Sequence, residues 1–269
     1  MTIKPLAAGD WEHFHALAAA EGWKISFQEQ RLFQSLWRPH FHALWHQGRC
    51  CGFVSAVLYK TSGWIGNLLI DPELRRRGYG SRLFEHAMEE IESDERVERV
   101  WLTASEQGAP LYRKHGFVEI DRVERWSATG LGERFSVAVP DLTRLLELDK
   151  ACWGEDRSTL LRLLAQDGCT FAAGKMIAQL QVGVNFCQLG PWLAEESTSA
   201  TCRTLLDQAL HAVPADRPLV CDVLASAELA LVLQKAGFVR GGENLLMCSS
   251  SEPPLLNGVI ALASLGSIG

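Results

Sequence analysis

The sequence lacks several features that would assign it to a class by composition alone. Its 269 residues carry 26 lysines and arginines against 32 aspartates and glutamates, so it has no basic excess with which to hold a nucleic acid. The first residues show no basic head followed by an apolar run. No stretch reaches the ~20 apolar residues that a membrane helix requires. We therefore expect a cytoplasmic protein that binds neither nucleic acid nor membrane.

Cysteines in metal-site patterns are missing as well. The eight cysteines are scattered, and none shows the CxxC spacing of a zinc site. Cys50 and Cys51 lie in a strand-like run, where successive side chains point to opposite faces of a sheet. In a chain that is not exported, such cysteines are usually buried thiols. We predict no bound metal.

The apolar content is sufficient for two domains. The chain is 47% hydrophobic, and a domain typically takes ~100–200 residues. Leu111–Val118 matches Val232–Val239 at a constant offset of 121 residues, and a strand-like segment and a short helix precede each string. This repeat indicates a duplicated domain. Glycine and proline place the boundary in Ser127–Pro140, which gives domains 1–130 and 131–269.

Apolar periodicity in the first half predicts an α+β fold with the order α-α-β-β-β-α-β-α-β. We expect a mixed, mostly antiparallel central sheet flanked by helices, and the same arrangement in the second copy. The predicted elements are helices over 9–21, 26–38, 78–93 and 108–115, and strands over 41–45, 51–59, 64–70, 97–103 and 117–126.

A basic, glycine-rich segment follows the third predicted strand. Arg75, Arg76 and Arg77 precede Gly78 and Gly80 at the start of a predicted helix. Free backbone N–H groups at a helix N-terminus can surround a phosphate, and glycine lets a ligand approach the main chain. The Gly-Lys-Ser/Thr ending of a P-loop is missing. The segment therefore indicates a pyrophosphate carrier, with a solvated basic turn as the alternative.

These residues resemble motif A of the GNAT (GCN5-related N-acetyltransferase) superfamily, in the pattern Arg75-X-X-Gly78-X-Gly80 after Leu68–Pro72. Leu111–Phe117 resembles its motif B. The whole chain resembles, more loosely, tandem-GNAT bacterial proteins of the YitH type. That looser resemblance rests on Leu102–Ser105, Gly108–Tyr112, Arg125-Trp126, Gly190-Pro191 and Ala194-Glu195.

The resemblance implies an acetyl-CoA site between two strands that splay apart, one ending at Ile70 and the other at Thr103. Main-chain groups of the first strand would pair with the pantetheine amides, and N–H groups of the turn and helix would hold the pyrophosphate. The implied cofactor-binding residues are Leu68, Leu69, Ile70, Arg75, Arg76, Arg77, Gly78, Tyr79, Gly80 and Ser81.

The resemblance also implies direct attack of a neutral primary amine on the thioester in a ternary complex. Tyr112 matches the superfamily's phenol that protonates the departing thiolate, and its alternative role is an aromatic covering the sheet. Relatives often hold a carboxylate at the positions of Asn67 and Thr103, so the general base is open. Proximity alone suggests Glu21, Glu106 and His46.

The second copy departs from the pattern. At the same offset Tyr112 falls on Leu233, and the basic turn falls on Glu196–Thr201, whose carboxylate would repel a pyrophosphate. We expect this copy to bind no acetyl-CoA and to pack on the first as an internal pseudo-dimer within a monomer. We also expect the tail Val259–Leu265 to add a strand across the pair.

The functional prediction is an acetyl-CoA-dependent N-acetyltransferase whose chemistry lies in the first copy. A non-catalytic acyl-CoA-binding sensor is the alternative, and an O-acyl acceptor or a longer acyl donor also stays open. The amine acceptor, whether a small molecule or a protein, cannot be read, because acceptor pockets in this superfamily are built from variable first helices and loops.

Overall fold

The computed structural model describes residues 1–132, 141–250, 252 and 255–269. Eight α-helices and twelve strands lie within these residues. The helices are α1 Asp10–Ala20, α2 Phe27–Gln34, α3 Tyr79–Glu92, α4 Ala109–Lys114, α5 Leu142–Trp153, α6 Ser158–Leu164, α7 Ser199–Ala212 and α8 Ala230–Lys235. The strands are β1 Thr2–Pro5, β2 Phe41–His46, β3 Arg49–Leu58, β4 Ser62–Ile70, β5 Arg99–Ala104, β6 Val118–Thr129, β7 Gly168–Ala173, β8 Met176–Val182, β9 Cys187–Ala194, β10 Pro218–Leu224, β11 Val239–Cys248 and β12 Val259–Ala261.

All twelve strands form one sheet in the order β1-β2-β3-β4-β5-β11-β6-β10-β12-β9-β8-β7. The pairing is mostly antiparallel, and the parallel pairs are β4 with β5 and β9 with β10. The predicted mixed sheet with flanking helices is therefore confirmed. The structure adds β1, which pairs antiparallel with β2 and which the sequence pattern did not indicate.

The two halves of the chain exchange their last long strands. In sequence β6 closes the first half, yet it pairs with β10 of the second, while β11 of the second half pairs with β5 of the first. β6 and β11 also pair with each other at the centre of the sheet. The expected internal pseudo-dimer thus consists of two halves joined through a continuous sheet.

Three apolar cores support this sheet. One lies under α3 and includes Leu83 and Phe84, and a second lies under α7 and includes Leu205 and Leu206. The third joins the two halves, because Trp64 and Trp101 of the first pack against Trp153 of the second, with ring centroids 6.2 and 5.6 Å apart. The halves therefore share buried apolar surface, which stabilises their association.

The repeat is visible in matched elements. α4 and α8 have the same length and lie 121 residues apart, and α3 and α7, of 14 residues each, lie 120 apart. The division into domains 1–130 and 131–269 stays a prediction. Its boundary segment begins inside β6, and residues 133–140 lie outside the described residues.

The cysteine prediction is confirmed, since all eight are free and buried. Cys50 and Cys51 belong to different cores, on opposite faces of the sheet. Among the described residues, no helix is long and apolar enough to cross a membrane.

The expectation for the tail needs a correction. The added strand β12 pairs with β9 and β10, both in the second half, so it does not bridge the pair. The residues after β12 do cross to the first half, where the carbonyl of Gly266 accepts a hydrogen bond from Trp64 Nε1 at 3.2 Å. The exchange of β6 and β11 already joins the halves, and β12 instead occupies the gap between two strands of one half.

Candidate active site

A cleft opens where β4 and β5 separate. The two strands pair in parallel from Ser62 opposite Arg99 to Ile65 opposite Leu102, and the pairing ends there. A bulge follows at once in β4, where Asn67 adopts a positive φ of 54° and the register to β3 shifts. Bulges bend a strand and increase its twist. The predicted divergence of these strands is thus present, and Leu68–Ile70 lie along the diverging part.

The basic turn leads from this cleft into α3. Gly78 caps the helix in the left-handed conformation, with φ of 81°, a region that glycine enters without strain. Among the described residues no side chain bonds to this helix N-terminus, and the first bond along the helix runs from Arg82 N to Gly78 O. The preceding N–H groups are therefore available to an anion, and the dipole favours one.

The three arginines of the turn differ in their surroundings. Arg75 is held by the carbonyl of Ile70, 3.1 Å from its Nε, and by the carboxylate of Glu21, 2.5 Å from its Nη2. Arg76 and Arg77 are exposed to solvent. Glu21, one of the suggested bases, is therefore engaged in an ion pair.

A cavity of about 760 Å³ continues from the cleft into the interior. One end is lined by Leu68–Ile70, Arg75 and Gly80, and Tyr112 also lines the wall. Tyr112 is buried, with its ring edge-on to Phe84 at 5.3 Å between centroids. Burial raises the pKa of Tyr112, so its phenol keeps the proton at neutral pH. Tyr112 therefore covers the sheet and faces the cavity.

Sequence reasoning missed Glu29, which lines the same cavity. Its side chain is buried, and burial raises its pKa to about 7, against the opposing influence of Ser267, Arg125 and Asn67. Ser26 Oγ accepts a hydrogen bond from Glu29 N at 3.0 Å. The Ser-X-X-Glu spacing indicates only the cap of α2, an ordinary surface role, so the sequence offered no sign that this carboxylate is buried.

Of the other polar residues expected near the site, some line the cavity and one does not. Asn67 and Thr103 line the cavity, and Asn67 donates a hydrogen bond to Ser55 Oγ at 3.1 Å. Glu106 lies at the cavity edge and is exposed. His46 is outside the lining, with its ring 5.9 Å from that of Tyr79. Glu29 is thus the buried carboxylate among these candidates.

Both halves contribute to the inner wall. Thr103 Oγ1 donates to the carbonyl of Gly266 at 3.1 Å, so the tail is tied to the end of β5. Arg125 forms a two-point ion pair with the buried Asp222, at 2.8 and 2.7 Å, and donates to the carbonyl of Leu265 at 2.9 Å. The tail and the exchanged strands therefore shape the part of the cavity beside Glu29.

Comparison with known proteins agrees with this geometry. Residues 37–119 match the family model of the acetyltransferase (GNAT) domain. The uncharacterized N-acetyltransferase YitH of Bacillus subtilis (strain 168) is 26% identical over 213 residues, covering 72% of each chain. Residues 37–119 are thus similar to a GNAT acetyltransferase domain. The matched segment contains the cleft, the basic turn and α3.

Solved structures share this fold over nearly the full length of the chain. A crystal structure from Pyrococcus horikoshii has a TM-score of 0.80 at 19% identity, covering 98% of this chain and 94% of that one. A GCN5-related N-acetyltransferase from Sphaerobacter thermophilus has a TM-score of 0.68 at 12% identity and 98% coverage of both chains. The joined arrangement of two halves therefore occurs in other proteins of this fold.

The described part of the second half has no open cleft between the corresponding strands. β12 lies between β9 and β10, the strands that correspond to β4 and β5, with Val259 opposite Leu193 and Ala261 opposite Val223. The N-terminus of α7 carries its own cap, because Thr198 Oγ1 accepts from Thr201 N at 3.1 Å in a capping box. Both features that could receive a nucleotide ligand in the first half are thus filled here by the chain itself.

Proposed function

We propose that the first half transfers the acetyl group of acetyl-CoA to a primary amine. The observation that carries this proposal is the open cleft between β4 and β5, which ends at a helix N-terminus without a side-chain cap. An extended pantetheine arm can pair with the free edge of Leu68–Ile70, and the pyrophosphate can accept from the N–H groups of Arg76–Ser81. Family membership of the matched segment supports this donor.

In this proposal Glu29 acts as the general base. A primary amine with a pKa near ~10 is protonated at neutral pH and must lose a proton before it attacks. A buried carboxylate with a pKa of about 7 is ionised for half or more of the time at pH 7 and above, and it accepts a proton more readily than an ordinary glutamate. Glu29 lies in the cavity wall and interacts with Asn67 and Ser267, which supports a role on the acceptor side.

Tyr112 completes the proton transfers. The amine nitrogen attacks the thioester carbonyl carbon, a C–N bond forms, and collapse of the tetrahedral intermediate breaks the C–S bond. The sulfur leaves as a thiolate and takes a proton from the Tyr112 hydroxyl. The proton lost by the ammonium before attack resides on Glu29, and the second proton, which the nitrogen of the intermediate loses to form the amide, restores the Tyr112 phenol. The sensor alternative relied on the missing carboxylate at Asn67 and Thr103, and Glu29 supplies a carboxylate from another element.

The test is release of free CoA thiol by the full chain with acetyl-CoA and a panel of amines, comprising polyamines, amino acids, aminoglycosides and peptides with free N-termini. We expect saturable, amine-dependent thiol release and an acetylated product detected by mass spectrometry. Tight CoA binding by calorimetry without turnover on any amine would contradict the enzymatic proposal and favour the sensor.

A further inference from the structure

A cluster of histidines and one glutamate lies away from the cavity. His42 is on β2, on the face of the sheet that α3 covers, and His86 and Glu90 are one turn apart on α3. His42 is buried, whereas His86 and Glu90 are partly exposed. None of these residues lines the cavity of the candidate active site. The cluster therefore needs an explanation separate from acyl transfer.

Three atoms of this cluster are buried without a hydrogen-bond partner in the described part of the chain, namely His42 Nδ1, His86 Nε2 and Glu90 Oε2. Such atoms destabilise a fold unless something satisfies them. One ligand atom of each residue lies within 4.8 Å of those of the other two, and His42 Nδ1 is 3.4 Å from Glu90 Oε2. A metal ion binds where several atoms with free lone pairs lie close together, as these three residues do.

The spacing agrees with a tetrahedral ion. Two ligands bonded to Zn²⁺ at ~2.0–2.1 Å with tetrahedral angles lie about 3.3 Å apart, close to the distance between His42 and Glu90. The rings of His42 and His86 are nearly perpendicular, at 85°, with centroids 4.6 Å apart. Two imidazole nitrogens and a carboxylate oxygen are donors typical of zinc and similar divalent transition metals.

His40 contacts the carboxylate of Glu90 without being one of the three ligands. Its Nδ1 lies 2.5 Å from Glu90 Oε1, the oxygen that does not face the two other ligands. Outer hydrogen bonds of this kind orient a metal ligand and tune its affinity. The arrangement holds one oxygen of Glu90 and leaves the other directed at His42 and His86.

We propose that His42, His86 and Glu90 bind one divalent transition-metal ion, with Zn²⁺ as the best-fitting ion and water as a fourth ligand. The site ties β2 to α3, the helix whose N-terminus forms the proposed pyrophosphate site. It also revises the expectation of no metal, which considered only cysteine spacing. These ligands span 49 residues of sequence, from 42 to 90, so no compact sequence motif indicates the site.

The test is calorimetric titration of untagged, EDTA-treated full-length protein with Zn²⁺ alone. We expect one ion per chain, a rise in the unfolding temperature with Zn²⁺, and the visible absorption of four-coordinate Co²⁺ after substitution. His86→Gln and Glu90→Gln should each weaken affinity by on the order of 100-fold or more, and His40→Gln by roughly 10–100-fold. CoA affinity should not change in these variants.

Glu89→Gln is the matched control, because it makes the same change on the exposed side of the same helix turn and should leave zinc affinity unchanged. Circular dichroism checks that each variant is folded. Absence of zinc binding to the unmodified protein would overturn the proposal. So would zinc affinity that is the same in His86→Gln, Glu90→Gln and Glu89→Gln.

Discussion

The two halves of this protein share the order of their main elements, but the N-terminus of one helix is uncapped in the first half and capped in the second. α3 and α7 each have 14 residues, yet α3 begins at the left-handed Gly78 and α7 at Thr198, whose side chain closes a capping box. The strand gap beside α3 leads into a cavity, and the gap beside α7 contains β12. A duplicated fold can thus keep its architecture while one copy satisfies internally the groups that the other leaves for a ligand.

The second helices of the two halves, α2 and α6, also differ in what they bury. α2 buries Glu29 together with Leu32 and Phe33, whereas the buried positions of α6, the second helix of the other half, are all leucine. A buried carboxylate destabilises a fold unless it is paired or changes its pKa. The corresponding helix α6 has no buried carboxylate, and this contrast makes the proposed role of Glu29 testable.

Glu29→Gln should have the largest effect, because the variant keeps the shape of the side chain and removes its basicity. We expect kcat to fall by roughly 10²–10⁴-fold, the usual contribution of a general base. In the unmodified protein the rate should rise with pH up to about 7, as the carboxylate ionises, and this limb should disappear in the variant. Steady-state kinetics from pH 5.5 to 9 measure both effects.

The control for this change is Glu106→Gln, which alters an exposed carboxylate at the cavity edge. It should keep the rate and pH profile of the unmodified protein. An unchanged kcat in Glu29→Gln would remove Glu29 from the mechanism and leave the acceptor side without an assigned base.

Gly80→Asp tests the helix terminus itself. A β-carbon at Gly80 meets its nearest neighbour, Ile70, at 3.7 Å, which is an ordinary contact, so the fold should tolerate the change. The added negative charge faces the proposed pyrophosphate site and should weaken CoA binding by roughly 100-fold. Calorimetry with CoA measures the dissociation constant.

Ala200→Asp is the matched change in the second half, since Ala200 lies at the same helix position, 120 residues later. We expect it to leave CoA affinity unchanged, because α7 is capped and its neighbouring gap is filled. Equal losses of CoA affinity in both variants would contradict the proposed difference between the halves.

Tyr112→Phe should have a smaller effect on the rate. A thiolate is a weak base and leaves with little assistance, so loss of the phenol should lower kcat by roughly 10-fold. CoA affinity should be retained, because in the proposed function Tyr112 contacts the sulfur and not the phosphates. Tyr79→Phe is the control for removing a hydroxyl from a buried tyrosine of the same core. A rate equal to that of the unmodified protein would leave Tyr112 with a packing role.

The last prediction concerns stability and not the rate. Folding raises the pKa of Glu29 from 4.5 to about 7, so the folded state favours the protonated carboxyl. Its contribution to stability is complete below pH ~4.5 and is lost as pH rises through ~7, a difference of about 3 kcal/mol. Glu29→Gln should therefore be more stable than the unmodified protein at pH 8 and similar at pH 4.5. Urea unfolding at both pH values measures the free energy of unfolding of the two proteins. The same difference between them at pH 4.5 and at pH 8 would contradict burial as the cause of the pKa shift.

Much of the fold could be predicted because its signals are local. The helix over 78–93 appears as α3 because Leu83, Phe84, Ala87 and Ile91 recur on one face, and all of them are buried. The duplication was readable from a string of eight residues, and the structure places α4 and α8 at that same offset. The open helix terminus followed from glycines and arginines that are adjacent in sequence.

The features that were missed depend on pairing between distant segments. β6 and β11 are both long strands next to a short helix, so either could close either half, and nothing local selects the exchange. The tail carries an apolar run that fits several strand edges, and only the fold shows that β12 fills the gap between β9 and β10. Glu29 has the local pattern of a cap, and only the fold brings it next to Arg125 and the tail residue Ser267.

The central claim is that one half receives acetyl-CoA and the other is closed by its own chain. Isothermal titration of the full-length protein with CoA tests it most directly through the number of sites. We predict one CoA per chain, with binding lost in Gly80→Asp and kept in Ala200→Asp. Two CoA molecules per chain, or binding that survives Gly80→Asp and fails in Ala200→Asp, would contradict the assignment of the site to the first half.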